Sequence, residues 1–201
     1  MSRMLKEASS DALGATKRIA SDPIAGIAAS FAALGAQRAQ AAGFAFGLAF
    51  AILTALASTL AAAKLGADSA LKLALSVFLV SLVPFVALTL TSAGARRILG
   101  GAGTWNADVF VAGIALQPIG IFFVLAAILG GANWQVIAVL SFVAWTYMLC
   151  ILFSGSTRLV GIPERFAPPA ISVMLLAAIW STKIAANSFF DPSSPIGRLF
   201  N

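Results

Sequence analysis

Long uncharged stretches separated by short charged segments dominate the pattern of this chain. The longest runs from Val109 to Thr157 and contains no Asp, Glu, Lys or Arg. A bilayer core about 30 Å thick needs roughly 20 apolar residues per helix, so this stretch has the length of two spans. Its fold-back is Gly130-Gly131-Ala132-Asn133, because glycine and asparagine accept backbone angles that a helix refuses. The pattern predicts a helical hairpin, with helices from about Asp108 to Leu129 and from about Trp134 to Phe153.

Three further stretches complete the predicted bundle. The first span lies within Ala39–Ala63, the second within Leu73–Gly94, and the fifth runs from Pro168 to about Ala186. Pro168 opens its helix without losing a hydrogen bond, whereas Pro84, in the middle of the second span, is expected to kink or loosen the helix. The chain is therefore predicted to be all-α, a polytopic transmembrane bundle of five spans.

A short amphipathic helix is predicted ahead of the first span. Asp22 suits an N-cap, and Pro23 suits the first helical position. The apolar residues that follow are spaced by three, four and three positions, as on one face of a helix: Ile24, Ile27, Phe31 and Leu34. Two interpretations stay open. The helix lies at the membrane surface or under the bundle, or it simply extends the first span below the membrane.

The bulk composition supports a membrane protein and narrows its chemistry. Of 201 residues, 60% are hydrophobic and 10% are charged, and the mean hydropathy is +0.97, whereas a soluble domain carries about 25% charged residues. There is no histidine, and Cys150 is the only cysteine. The usual imidazole base, an internal disulfide and a thiolate cluster are therefore excluded. We expect no cofactor and no metal.

The basic residues predict an orientation. Nine of them precede the first span or lie on the same side of the bundle, namely Arg3, Lys6, Lys17, Arg18, Arg38, Arg96, Arg97, Arg158 and Arg165. Four lie on the other side, namely Lys64, Lys72, Lys183 and Arg198. The positive-inside bias then places the amino terminus in the cytoplasm and the carboxyl terminus outside. Because these residues flank apolar spans, the net charge of +6 indicates membrane lipids as partners, not nucleic acid.

The predicted organisation has three parts. Residues 1–40 form a cytoplasmic segment that contains the interfacial helix. Residues 41–187 form the five-helix transmembrane domain, and residues 188–201 form a short outside tail. The alanine-rich composition and the short ends are typical of a bacterial protein, which indicates the cell (inner) membrane.

A stripe of small residues lies on one face of the first span. It repeats every four positions and consists of Gly43, Gly47, Ala51 and Ala55. Side chains at this spacing share a face, and small ones let a neighbouring backbone approach closely. The stripe is either a seam of a homo-oligomer or a packing surface within the chain. The second interpretation is favoured because four other spans are available.

The third span holds the most polar side chain placed deep in any span, Gln117. Pro118 beside it displaces the carbonyl of Ile114, so the amide is expected to find a freed carbonyl or a neighbouring helix. The favoured interpretation is an interhelical hydrogen bond, and the other is a polar site for a ligand or gate. The full candidate site adds small residues of the same face and a polar face of the fourth span, and comprises Gly113, Gln117, Pro118, Gly120, Ser141 and Trp145.

Together these features resemble the Yip1 family of small membrane proteins. The resemblance covers roughly residues 40–187. It rests on five spans with a cytoplasmic amino terminus, the glycine-rich loop of residues 99–103, Phe110 and the Gln117-Pro118 step in the third span, the tight hairpin followed by Trp134, and a serine-containing exit from the fourth span. It implies a non-enzymatic scaffold or accessory protein, sometimes acting beside a transporter.

The residues themselves favour the same class of function. An enzyme is disfavoured because there is no carboxylate pair, and the acids near the spans lie at predicted span ends: Asp68, Asp108, Glu164 and Asp191. The alternative is a small transporter or channel with a polar site near Gln117 and Pro118. Midspan charges and an inverted repeat, which are typical of transporters, are absent from the sequence. We therefore expect an accessory protein whose partners are other membrane-protein subunits.

Overall fold

The computed structural model describes residue 14 and residues 16–64, 70–129 and 134–190. These residues contain helices and no strand, so the predicted all-α class is confirmed. A helical segment over residues 16–21 comes first. It is followed by α1 (Gly26–Leu34), α2 (Ala36–Lys64), α3 (Ala70–Leu99), α4 (Trp105–Ala115), α5 (Gln117–Leu129), α6 (Trp134–Arg158), a 3-10 turn (Glu164–Phe166) and α7 (Ala167–Phe189).

Five of these segments are long and apolar enough to cross a membrane, as the sequence predicted. They are α2, α3, the α4–α5 pair, α6, and α7 with its 3-10 turn, and we number them spans 1 to 5. The chain is a multi-pass membrane protein. The helices of spans 1 and 4 continue to Lys64 and Arg158, past the predicted ends at Ala63 and Phe153, because a helix does not have to stop where the hydrocarbon does.

Spans 1, 2 and 4 pack against span 3. α2 packs along α3, α4 and α5, α6 packs against α4 and α5, and α7 packs mainly against α3. Spans 3 and 4 are therefore neighbours, as expected for the predicted hairpin. The predicted turn at residues 130–133 lies outside the described residues. Span 3 is the most buried of the five, and Phe110 is its largest fully buried side chain.

The amino-terminal helix α1 packs beneath the bundle. Asp22 Oδ1 accepts hydrogen bonds from the backbone N–H of Ile24 at 3.0 Å and of Ala25 at 2.9 Å, so it caps the turn of residues 23–25. The predicted helix start is wrong, because α1 begins at Gly26 with Ala25 at its N-cap position, and Pro23 lies in the turn before it. Gly35, with φ of 72°, then separates α1 from α2, which contradicts a simple extension of span 1. Ile27 is fully buried, and α1 contacts α4 and α6. We call this end of the bundle the α1 end, and the end near Lys64 and Trp134 the opposite end.

Two loops join at the α1 end through their backbones. The Gly103 N–H donates to the Val160 carbonyl at 2.9 Å. A Cβ on Gly101 would lie 2.7 Å from the same carbonyl oxygen, a distance that real Cβ atoms do not reach. Glycine therefore lets the loop between spans 2 and 3 rest directly on the loop between spans 4 and 5.

The two midspan prolines have different consequences. At Pro118 the helix is interrupted: α4 ends at Ala115, Leu116 forms a turn, and α5 begins at Gln117. At Pro84 the helix is not broken: α3 runs continuously from Ala70 to Leu99. A single missing backbone donor is tolerated in membrane helices when the surroundings satisfy the freed group.

Candidate functional site

Gln117 connects span 3 to span 1. Its Nε2 donates to the carbonyl oxygen of Phe46 at 2.6 Å and makes a longer contact of 3.4 Å with the carbonyl of Gly113. The partner is thus a neighbouring helix, and not the carbonyl of Ile114. The geometry matches an interhelical hydrogen bond.

The small residues of spans 1 and 3 allow this bond to form. A Cβ added to Gly113 would overlap the carbonyl oxygen of Gly43, and a Cβ on Gly43 would lie 2.6 Å from the carbonyl oxygen of Val109. The two backbones therefore touch where the helices cross. Only glycine fits at both positions.

The rest of the small-residue stripe also faces the chain's own helices. A Cβ on Gly47 would lie 2.8 Å from the ring of Phe85 in span 2. Ala51 is fully buried and Ala55 is half-buried. The two glycines of the stripe are occupied by contacts within one chain.

The other members of the candidate site do not converge on Gln117. Gly120 faces the side chains of Phe50 and Leu53 in span 1. The Ser141 hydroxyl donates to the carbonyl of Ala138, one turn back in its own helix, at 3.1 Å. Trp145 lines a different cavity from Gln117. The six residues therefore do not form one site: Gly113 and Gly120 pack against span 1, Gln117 and Trp145 line different clefts, and Ser141 lines neither cleft.

The first cleft, cleft A, opens between spans 3 and 4 and measures about 370 Å³. The segment of residues 16–20 closes one side of it, and the Tyr147 hydroxyl donates to the carbonyl of Ala20 at 3.4 Å. Its walls are mainly apolar, with polar contributions from Thr16, Gln117 and Tyr147. Pro118 also lines cleft A, beside Gln117.

The second cleft, cleft B, measures about 560 Å³ and reaches from span 1 to span 5. Its floor is fully apolar and includes Leu88, Leu116 and Met148, each at most 3% exposed. Its rim includes Trp145 and Lys183. Among the described residues, Lys183 is the only charged one that lines either cleft.

A buried ion pair joins spans 2 and 3 at the α1 end. Asp108 is fully buried, and its Oδ1 accepts from the Ser92 hydroxyl at 2.7 Å. Its Oδ2 accepts from Arg96 Nε at 3.0 Å and lies 3.0 Å from a terminal guanidinium nitrogen of Arg96. Sequence reasoning assigned Asp108 only to the first turn of a helix. The sequence feature that could have indicated the ion pair is the short loop of residues 100–104, which brings the end of α3, with Arg96, close to the start of α4, with Asp108.

A second polar link that sequence reasoning missed lies at the opposite end. The ammonium group of Lys64 donates to the carbonyls of Ala127 and Ile128 at 2.6 and 2.8 Å. These are among the last carbonyls of α5, which have no partner within their own helix. The end of span 1 thereby caps the end of span 3.

A further polar contact joins two spans. Besides Gln117 and Asp108, the Thr54 hydroxyl donates to Ser81 at 2.7 Å, joining spans 1 and 2. Among the described residues, no three His, Cys, Asp or Glu side chains lie close enough together to hold a metal ion. Ser30 and Ser156 have buried hydroxyl oxygens without a hydrogen-bond partner in the part of the chain that the structure describes, and neither lines cleft A or cleft B.

Replacing Gln117 with leucine is expected to destabilise the bundle modestly. Hydrogen bonds between membrane helices contribute about 0.6 kcal/mol on average and up to about 1.7 kcal/mol, so the melting temperature in detergent should fall slightly and partner binding should persist. Ser141→Ala is the matched control, because that hydroxyl bonds only within its own helix. Loss of a biological activity from Gln117→Leu at an unchanged melting temperature would instead assign Gln117 to a ligand site.

Comparison with known proteins gives no family for this chain: no family model matches it, and neither a curated protein nor a solved structure matches it.

Proposed function

We propose that this chain is a non-catalytic integral membrane protein that acts as a scaffold or accessory subunit of a larger membrane complex or transporter. The observation that carries the proposal is the use of the polar groups inside the bundle. Gln117, Asp108 and Thr54 are each bonded to another span of the same chain. The interhelical bonds therefore serve to hold the spans together. The resemblance to the Yip1 family favours the same role.

The outer surface offers what such a role requires. Spans 4 and 5 expose large apolar side chains, among them Phe142 at 73% and Leu176 at 64%. Within a bilayer these faces meet either lipid tails or the helices of a partner. Association between membrane helices depends on packing and on a few polar contacts, because lipid tails are as apolar as the helices themselves.

The proposed location is a bacterial inner membrane with the amino terminus in the cytoplasm. In the described part of the chain the α1 end carries Lys17, Arg18, Arg38, Arg96, Arg97, Arg158 and Arg165, and the opposite end carries Lys64, Lys72 and Lys183. This difference has the sign of the positive-inside bias. A reporter fused after Asn201 should be outside and one inserted after Gly161 should be cytoplasmic. Two reporters on the same side would contradict the orientation.

A small transporter or channel is the second candidate function. Its specific support is cleft A, whose mainly apolar lining includes the polar residues Thr16, Gln117 and Tyr147. The helix of span 3 is interrupted beside this cleft, just before Pro118. Discontinuous helices form substrate sites in transporters, whereas Leu116 at this interruption keeps helical backbone angles, with φ of −80° and ψ of −17°. Gln117 Nε2, however, already donates to the carbonyl of Phe46, so a ligand that accepts from Nε2 would have to displace that bond.

Co-purification from native membranes in a mild detergent distinguishes the two functions. The accessory role predicts a larger membrane protein in fixed proportion to this chain. The control is Gly113→Leu, which should not fold and therefore reports proteins captured by exposed apolar surface alone. Ion or solute flux through vesicles that contain only this purified chain would overturn the accessory role and support the channel.

A further inference from the structure

Cleft B is shaped as a side pocket of the bundle. Its floor residues are nearly fully buried, whereas Trp145 and Ile179 at its rim are 42% and 57% exposed. The opening lies between spans 4 and 5, because α7 packs mainly against α3 and touches α6 only lightly. A ligand can therefore enter from the membrane. The volume of about 560 Å³ lies in the range of about 300–1,000 Å³ of ligand sites in proteins.

The length of cleft B corresponds to one leaflet. Its wall on α7 extends from Leu175 to Lys183, which at 1.5 Å per residue is about 12 Å. Half of a hydrocarbon core about 30 Å thick is about 15 Å. The cleft therefore accommodates an extended apolar chain from one leaflet, lying along the bilayer normal.

The lining of cleft B matches an acyl chain. Apart from Thr182 and Lys183, the described residues that line the cleft are apolar. An acyl chain is apolar as well, and it is far narrower than a helix about 10 Å across, so we take a lipid tail as the occupant.

A positive charge lies at one end of this apolar cleft. Lys183 is exposed and has no hydrogen bond or ion pair among the described residues. It lies six positions before Phe189, where α7 ends, and so about 9 Å from the opposite end of the bundle. A lysine side chain at this depth extends its ammonium group towards the headgroups. A negatively charged headgroup would meet it there.

We propose that cleft B is a binding site for an anionic phospholipid, whose acyl chain fills the cleft and whose phosphate binds Lys183. The site lies at the opposite end of the bundle from α1 and from the Arg96–Asp108 pair. It is independent of the accessory role, since a lipid can bind whether or not a partner does. A basic residue near an anionic membrane surface contributes about 1 kcal/mol to the binding of lipid, which for Lys183 alone corresponds to a preference of about fivefold.

Fluorescence quenching of Trp145 tests the site in the full chain. Replacing Trp105, Trp134 and Trp180 with phenylalanine leaves Trp145 as the only tryptophan of the four. The protein is reconstituted into vesicles containing brominated phosphatidylglycerol or brominated phosphatidylcholine. We expect the anionic lipid to bind about five times more strongly, and Lys183→Gln to abolish this preference.

Two further variants decide the interpretation. Lys72→Gln removes an exposed cation near the same end that does not line cleft B, and it should leave the preference unchanged. Thr182→Phe places a ring in the cleft, where the hydroxyl bonds only to its own helix, and it should lower quenching by the bound lipid. An equal effect of Lys72→Gln and Lys183→Gln would overturn the proposal, as would a preference that survives Lys183→Gln. A second copy of the chain would instead occupy the cleft if the quenching of Trp145 by brominated lipid falls as the protein density in the vesicles rises and does not depend on the charge of the lipid. That result would also overturn the proposal.

Discussion

Replacing Asp108 with asparagine is expected to lower the free energy of unfolding by about 3 kcal/mol. The removal of one partner from a buried ion pair costs about 3–5 kcal/mol, because the other charge is left uncompensated. The lower end applies here, since the Arg96 side chain is 16% exposed and lies in the last turn of α3, from where it can reach water. Reversible unfolding in mixed detergent micelles measures the change.

Two comparisons isolate the ion pair from the loss of a surface charge. Glu164→Gln removes an exposed carboxylate at the same end of the bundle and should change stability by less than about 0.5 kcal/mol. The double variant Arg96→Gln with Asp108→Asn leaves no unpaired charge, so it should be more stable than the sum of the single effects predicts. Additive effects would show that the two side chains do not interact.

Gly113→Ala is expected to cost about 3 kcal/mol or more, although it adds a single methyl group. Overpacking a core side chain typically costs about 1–3 kcal/mol, and here the added carbon meets the backbone of Gly43, which cannot rotate away. The helices must separate, and the Gln117–Phe46 hydrogen bond is then lost with them. Thermal unfolding in detergent and the yield of monodisperse protein both report this.

Gly94→Ala is the matched control for Gly113→Ala. Gly94 lies in the helix of span 2, and an added Cβ there has no neighbour within 4 Å. Because alanine is a better helix former than glycine by about 1 kcal/mol, this substitution should be neutral or stabilising. Equal destabilisation by both substitutions would show that the crossing at Gly43 and Gly113 is not close.

Hydrophobic length and small-residue spacing were sufficient to predict five spans, the hairpin of spans 3 and 4 and a polar bond at Gln117. These features follow from local sequence, because a span needs a minimum apolar length and a deep amide needs a partner. The identity of that partner, Phe46 in span 1, could not be predicted. Any backbone carbonyl can accept the bond, so the sequence does not indicate which helix lies beside span 3.

The Arg96–Asp108 pair and cleft B could not be predicted from the sequence, for different reasons. Asp108 lies near a helix start, where an exposed carboxylate is ordinary, and only the packing of α3 against α4 shows that it is buried. Cleft B is lined by residues of all five spans. Such a cavity depends on how the helices are arranged, and the apolar side chains at its floor are indistinguishable in sequence from core residues.

The crossing of Gly43 and Gly113 has a consequence for membrane insertion. Span 1 leaves the ribosome first, but the glycine that its backbone meets is 70 residues further along the chain, as the two residue numbers show. At about 5–20 residues per second, roughly 4–14 s pass before Gly113 has been synthesised. During that interval Gly43 has no span 3 to pack against, and α2 is held only by lipid, by span 2 and by the insertion machinery. Final assembly of the bundle is therefore delayed until span 3 has entered the membrane.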